Sequence, residues 1–217
     1  MKKLLIVAAA FAAAASLRAD TSYLLIQGPF GAGSTTATFK WQVNYPTGAL
    51  GYGQDLLNSV FGTPTLNGIY TDGYSSTYPY YSAGDATTGA GYIQFSFGPL
   101  LASVTLGGVK VDMDPFYSPG FNYYVAGGSG SSGNPYASGA WTYSDDGEGT
   151  RTPANGSYDG WVFGSTYPAA PINGAGNTPT AANFSTATVI NVPEPASAAL
   201  LLIGAGGLLA FAKRRRA

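Results

Sequence analysis

The side chains that could do chemistry in this chain are carboxylates and tyrosine hydroxyls, because it contains no histidine and no cysteine. Their absence excludes a Ser-His-Asp triad, a thiolate nucleophile and cysteine-ligated zinc or iron–sulfur sites. A glycosidase would need two carboxyl groups a few ångströms apart across a cleft, and Asp112, Asp145 and Asp159 are the candidates. We expect no catalytic residue and no enzyme here, with a carboxylate-based glycan hydrolase as one alternative.

A cluster of carboxylates lies on a predicted turn at Asp145-Asp146-Gly147-Glu148. Calcium takes several hard oxygen ligands arranged round a loop, so Asp145, Asp146 and Glu148 are the calcium candidates. Their spacing does not match the EF-hand pattern, and solvated turn carboxylates are the favoured interpretation. We therefore expect no cofactor, with calcium as the alternative.

Tyrosines concentrate in one stretch that is also rich in Ser, Gly and Pro. They are Tyr70, Tyr74, Tyr78, Tyr80 and Tyr81. Exposed rings would offer flat faces to sugars, whereas packing on a sheet would bury those faces. A small-molecule or carbohydrate-binding module is therefore a second alternative function.

The charge of the body is far from that of the whole chain. Outside the termini the only basic residues are Lys40, Lys110 and Arg151, against ten acidic residues, which gives the body a net charge of −7. Nucleic-acid binding depends on cations that meet phosphates, so we expect no nucleic-acid partner.

Alternating apolar and polar residues predict the elements that must position these side chains. Period-2 patterns predict half-buried strands at 36–43 and 92–97. The segment 103–111 has the pattern of a hairpin that turns at Gly107-Gly108. Shorter candidate strands are 23–27, 121–125, 140–144, 160–163 and 187–191. The Ser/Gly/Tyr/Pro-rich stretches 71–91 and 127–139 predict long surface loops.

One short helix is predicted after residue 54. Asp55 is its expected N-cap and Gly62 its expected end, and the apolar stripe between them is Leu56, Leu57, Val60 and Phe61. Trp41, Trp141 and Trp161 each lie in a strand-like segment, so they are expected in the core.

The N-terminus has the three parts of a secretory signal peptide. Lys2 and Lys3 precede an apolar stretch at 4–15, and small residues lead to Ala19. We predict a signal peptide at 1–19, export through the secretion translocon, and an extracytoplasmic body.

The C-terminus combines a stiff polar motif, an apolar run and a basic end. Pro193-Glu194-Pro195 favours extended backbone because proline fixes φ and restricts the residue before it. The apolar residues 196–212 are just long enough for a transmembrane helix, and the basic residues 213–216 would stay on the cytoplasmic side. An ordinary tail-anchored protein with an incidental Pro-Glu-Pro is the alternative.

This tail resembles the PEP-CTERM sorting signal of Gram-negative bacteria, in which Pro193, Glu194 and Pro195 would be the sorting motif. The resemblance implies that the partner is an exosortase, a membrane-embedded cysteine transpeptidase. It implies an inner-membrane anchor before processing, and afterwards a place at the cell surface or in an exopolysaccharide matrix of a Gram-negative-type bacterium.

The body resembles transcobalamin-like C-terminal domains through Asp-Leu-Leu-Asn-Ser-Val-Phe-Gly at 55–62 and through aromatic pieces at 122–124, 141–144 and 159–164. That resemblance implies a small β-grasp-like fold. We therefore expect a mainly β (α+β) extracytoplasmic domain with one short helix at 20–168 and a flexible spacer at 169–192. The sorting signal at 193–217 follows the spacer. The expected function is that of a non-enzymatic surface or exopolysaccharide-matrix protein.

Overall fold

The computed structural model describes residues 19–96, 98–114, 118–129, 140–144, 147–165 and 178–193. In these ranges no helix is both long and apolar enough to cross a membrane. The predicted signal peptide up to residue 18, the predicted transmembrane helix at 196–212 and the basic residues 213–216 lie outside them.

The described chain is mainly β, as predicted, with one α-helix and two short 3₁₀ segments at Ala32–Ser34 and Ala181–Phe184. The helix and strands are, in chain order, β1 (Ala19–Gly28), β2 (Ala37–Pro46), α1 (Gly53–Phe61), β3 (Thr65–Thr71), β4 (Thr77–Gly84), β5 (Thr88–Phe95), β6 (Gly98–Leu106), β7 (Val109–Asp112), β8 (Gly120–Ala126), β9 (Thr142–Tyr143), β10 (Ser157–Gly164) and β11 (Thr188–Asn191).

The first sheet has six strands in the order β11-β2-β1-β10-β8-β9. Its centre is the parallel pair β1 and β10, flanked by β2 and β8, which run antiparallel to them. The first sheet is therefore mixed, and α1 follows directly after β2 in the chain.

The second sheet is a five-stranded antiparallel meander, β3 to β7, inserted between α1 and β8. The prediction of a surface loop at 71–91 is wrong, because β4 and the first half of β5 lie within these residues. Tyr and Thr suit a pleated surface, and Gly91 leaves the space that the Tyr80 hydroxyl fills on its way to Ser103. The hairpin predicted to turn at Gly107-Gly108 is confirmed as β6–β7, with both glycines at positive φ.

The main core lies between the two sheets and is closed by α1, which contacts β1, β2, β4 and β5. Trp41 and Trp161 belong to it, and Trp141 belongs to a smaller buried cluster, so the prediction that all three are core residues is confirmed. The predicted strand at 36–43 is confirmed as β2, with Trp41, Val43 and Tyr45 as its buried face.

Helix α1 begins three residues earlier than predicted, at Gly53, with Tyr52 as its N-cap. Asp55 is therefore not the N-cap but the third helical residue, and its Oδ2 accepts hydrogen bonds from the N–H groups of Gly51 and Tyr52 at 2.8 and 2.9 Å. The predicted end at Gly62 is confirmed, since Gly62 has a φ of 89° and donates its N–H to the Asn58 carbonyl.

Candidate functional site

The described chain ends at strand β11, on the edge of the first sheet. β11 pairs in parallel with β2, from Thr188 opposite Trp41 to Asn191 opposite Asn44. The Val192 N–H donates to the Asn44 carbonyl at 2.8 Å, and the exposed Pro193 follows directly. The predicted sorting motif therefore starts at the residue after the last hydrogen bond to the sheet. Its other two residues, Glu194 and Pro195, lie outside the described residues.

The predicted spacer also contacts the outer face of this sheet, before β11, through Phe184 and Asn183. Phe184 is only 2% exposed, with its ring 5.0 Å from that of Tyr23 and 5.5 Å from that of Tyr158. Lys40 Nζ donates to the Asn183 carbonyl at 2.7 Å. The edge strand predicted at 187–191 is confirmed as β11, and the folded domain extends to Val192 rather than ending near residue 168.

Inside the domain, four side chains form what we call the polar cluster: Tyr123, Glu148, Arg151 and Asp159. Arg151 Nη2 donates to Asp159 Oδ2 at 3.1 Å, with both side chains fully buried. The Tyr123 hydroxyl donates to the other carboxylate oxygen of Asp159. Asp159 is thus held by a cation and a hydroxyl, as a buried carboxylate must be.

The polar cluster sits where α1 meets the first sheet. Tyr123 lies on β8 and Asp159 on β10, while Glu148 and Arg151 come from the segment just before β10. The carbonyls of Arg151 and Glu148 accept the first N–H groups of α1, from Gly53 at 2.8 Å and Gln54 at 3.0 Å. A helix leaves these first donors without intrahelical partners, so this segment caps α1.

Burial dominates the electrostatics of the polar cluster. It raises the pKa of Glu148 to about 7, and Glu148 Oε1 has no hydrogen-bond partner among the described residues. Burial also raises the pKa of Asp159, against the lowering effect of the Arg151 guanidinium. The pKa of Tyr123 is raised by burial and further by the charge of Asp159. Since all four side chains are buried, the polar cluster can hold elements together but presents no group to a bulky substrate.

The structure describes some, but not all, of the carboxylate residues that were predicted as candidate sites. Glu148 was expected on a solvated turn, and this is wrong because it is 2% exposed. Asp145 and Asp146 lie outside the described residues. Asp112 is exposed and pairs with Lys110 at 2.6 Å, whereas Asp159 is buried with Arg151. In the part of the chain that the structure describes, no three His, Cys, Asp or Glu residues are grouped so that they could hold a metal ion.

The predicted tyrosine site is a hairpin and not a loop. Tyr78 packs against Phe95 with ring centroids 4.5 Å apart, and the hydroxyl of Tyr80 is 2.9 Å from Ser103 Oγ. Tyr70 packs with them on the outer face of the second sheet, and Tyr81 packs against the main core. Tyr74, in the β3–β4 turn, is 77% exposed. The interpretation that these tyrosines pack on the sheet is therefore confirmed for all but Tyr74.

Comparison with known proteins gives a match for the tail. The family model of the PEP-CTERM protein-sorting motif matches residues 191–216. No curated protein and no solved structure matches the chain, and the resemblance of the body to transcobalamin-like domains gains no support.

The match identifies the C-terminal residues 191–216 as a sorting motif. The chain carries a PEP-CTERM sorting motif, which implies a protein that is exported, anchored in a membrane and then processed by an exosortase. Asn191 is both the last residue of β11 and the first residue of the match, so the motif and the folded domain overlap.

The burial of Glu148 should make the stability of the domain depend on pH. Its folded-state pKa of about 7 lies above the ordinary value of 4.5, so the folded domain binds a proton that the unfolded chain releases. This stability is fully present below pH 4.5, falls as the pH rises and is lost above 7, a change of about 3 kcal/mol. Glu148→Gln should flatten that loss.

Urea unfolding of residues 20–193 between pH 5 and 8 measures this, and the lack of histidine removes the usual competing titration. The exposed Asp112→Asn change is the matched control and should leave the wild-type slope. A wild-type curve that is already flat would contradict the buried state of Glu148.

Removing the cation of the polar cluster should be far more harmful than removing an exposed one. Arg151→Met leaves Asp159 as an unpaired buried charge, which costs about 3–5 kcal/mol. Lys110→Met breaks the ion pair between Lys110 and Asp112, two side chains that are each more than half exposed. This change should lower the free energy of unfolding by less than about 1 kcal/mol. Chemical denaturation compares the two, and equal losses would show that Arg151 is not essential to the fold.

Proposed function

We propose that this chain is a non-enzymatic protein of the cell surface or exopolysaccharide matrix of a Gram-negative-type bacterium. It is exported by the secretion translocon and held in the inner membrane by residues 196–212. An exosortase then detaches it near Pro193-Glu194-Pro195. The observation that carries this proposal is the match of the sorting motif to residues 191–216, which begins at the last residue of strand β11 in a folded domain.

The residues of the motif fit the chemistry of such a cleavage. The nucleophile of the enzyme attacks a carbonyl carbon near the motif, and the amine of the tail leaves with a proton. The acyl group then passes to water or to an acceptor hydroxyl or amine. Pro193 and Pro195 keep the chain extended for that attack, and the basic residues 213–216 keep the far end of the tail on the cytoplasmic side.

A non-enzymatic body is supported by the state of its acidic side chains. Asp159 and Glu148 are buried, and Asp112 is paired with a neighbouring lysine. The chain contains no histidine or cysteine that could replace them as base or nucleophile. The domain is accordingly proposed as a displayed structural module.

Processing is tested by the mass of the mature protein. Protein recovered from the native cell should lack about 16–19 N-terminal residues and everything beyond the motif. Pro193→Ala with Pro195→Ala should leave the tail attached, because extended backbone is no longer enforced. Pro179→Ala, in the described segment before β11, is the matched control. A wild-type chain that still ends at Ala217 would refute the sorting function.

A carbohydrate-binding module is the second candidate, favoured by the exposed surface of the β3–β4 hairpin. Leu66, Ile69 and Tyr74 are 66%, 75% and 77% exposed, and the only charged residue between 65 and 84 is the buried Asp72. An uncharged apolar surface on a body of net charge −7 suits a neutral polysaccharide. An acidic polysaccharide would need bridging calcium, for which Asp145 and Asp146 remain the proposed ligands.

Affinity electrophoresis in gels that contain the native exopolysaccharide tests the hairpin. Ile69→Ser with Tyr74→Ala should weaken retardation about tenfold, since both contacts are truncated. Tyr52→Ala, which removes an exposed tyrosine at the start of α1, should not. Retardation that is unchanged in the hairpin variant, with calcium or with chelator, would rule out this candidate.

A further inference from the structure

The sorting motif is attached to the domain without a linker. Val192 is hydrogen-bonded to β2, and only residues 193–195 separate it from the apolar run that begins at Ala196. An extended chain covers at most about 3.6 Å per residue, so the edge of the sheet lies within roughly 15 Å of the start of that run. The enzyme must therefore act next to β11 itself.

The residues on the N-terminal side of the motif are paired with β2 in the folded domain. Backbone pairing with β2 runs from Thr188 to Val192, and the Asn44 side chain adds an amide hydrogen bond to Asn191 Oδ1 at 3.0 Å. An enzyme groove that takes an extended peptide contacts its backbone and its alternate side chains. While β11 is paired with β2, one edge of that backbone is covered by the domain.

Strand β11 is the part of the first sheet that is easiest to release. It has four residues and lies at the edge of the sheet, where among the described strands it pairs with β2 alone. Thr188, Val189 and Asn191 are exposed and Ile190 is half-buried, so little apolar surface holds it. Edge elements with few buried contacts open at a small free-energy cost compared with global unfolding.

A separate anchor keeps the preceding segment in place when β11 leaves. Phe184 is buried against Tyr23 and Tyr158, and Lys40 binds the Asn183 carbonyl. Residues 185–187 between this anchor and β11 carry no strand pairing and can act as the hinge.

We propose that Thr188–Val192 is the N-terminal part of the segment that the processing enzyme binds, and that β11 must detach from β2 before the tail is removed. The proposal rests on the processing stated above. Because only the detached fraction is competent, pairing with β2 lowers the apparent rate of processing by that fraction. Phe184 keeps the segment before the hinge on the sheet during the reaction.

A cross-link between β2 and β11 tests the proposal in the full chain. The Asn44 and Asn191 side chains touch at 3.0 Å, and the chain has no cysteine of its own, so Asn44→Cys/Asn191→Cys adds a single disulfide. A thiol oxidant such as diamide takes up the two electrons and two protons released as the bond forms. The matched control, Thr21→Cys/Asn44→Cys, links β1 to β2 at another contact of 3.0 Å and leaves β11 free.

Pulse-chase labelling in the native cell then follows the loss of the tail. The oxidised β2–β11 variant should be processed at least tenfold more slowly than the β1–β2 control, and dithiothreitol should restore its rate. Asn191 lies in the segment that the enzyme is proposed to bind, so the reduced Asn44→Cys/Asn191→Cys protein is the reference for the effect of the two substitutions themselves. Equal rates for the two cross-linked proteins, or no recovery on reduction, would overturn the proposal. A wild-type chain that keeps its tail would instead refute the proposed function.

Discussion

The buried ion pair between Arg151 and Asp159 is the interaction on which the arrangement of the domain depends. The body has only three cations, and one of them is completely enclosed. Two charges removed from water must satisfy each other, so the segment before β10 has little freedom to move relative to β10. That same segment caps α1, and α1 touches strands of both sheets. The position of the second sheet on the first is thereby linked to one salt bridge.

The sequence predicted those elements whose pattern is local. Strand β2 shows a clean alternation because one face is buried and the other is polar. Gly107-Gly108 marks the turn between β6 and β7 by residue type alone. Strand β4 was missed because its Ser, Tyr, Pro and Gly residues also suit a loop. This strand pairs with both β3 and β5, and Gly91 of β5 makes room for Tyr80.

The polar cluster could not be predicted because its partners are distant in sequence. Asp-Asp-Gly-Glu at 145–148 has the composition of a surface turn, and nothing local distinguishes Glu148 from its neighbours. Its burial follows from the contact of its carbonyl with the start of α1, almost a hundred residues earlier. Phe184 was missed for a similar reason, since it stands in a polar stretch and its pocket is built from Tyr23 and Tyr158. The sorting motif, by contrast, is continuous in sequence and was predicted residue by residue.

Pairing on the two sides of β2 brings both ends of the described domain together. Strand β1 begins with Ala19 opposite Pro46, and β11 ends with Asn191 opposite Asn44. The leader and the tail therefore join the domain at the same end of one strand, two strand spacings or roughly 10 Å apart. Under the proposed export and processing, both membrane attachments of a precursor would therefore leave the folded body from the same side.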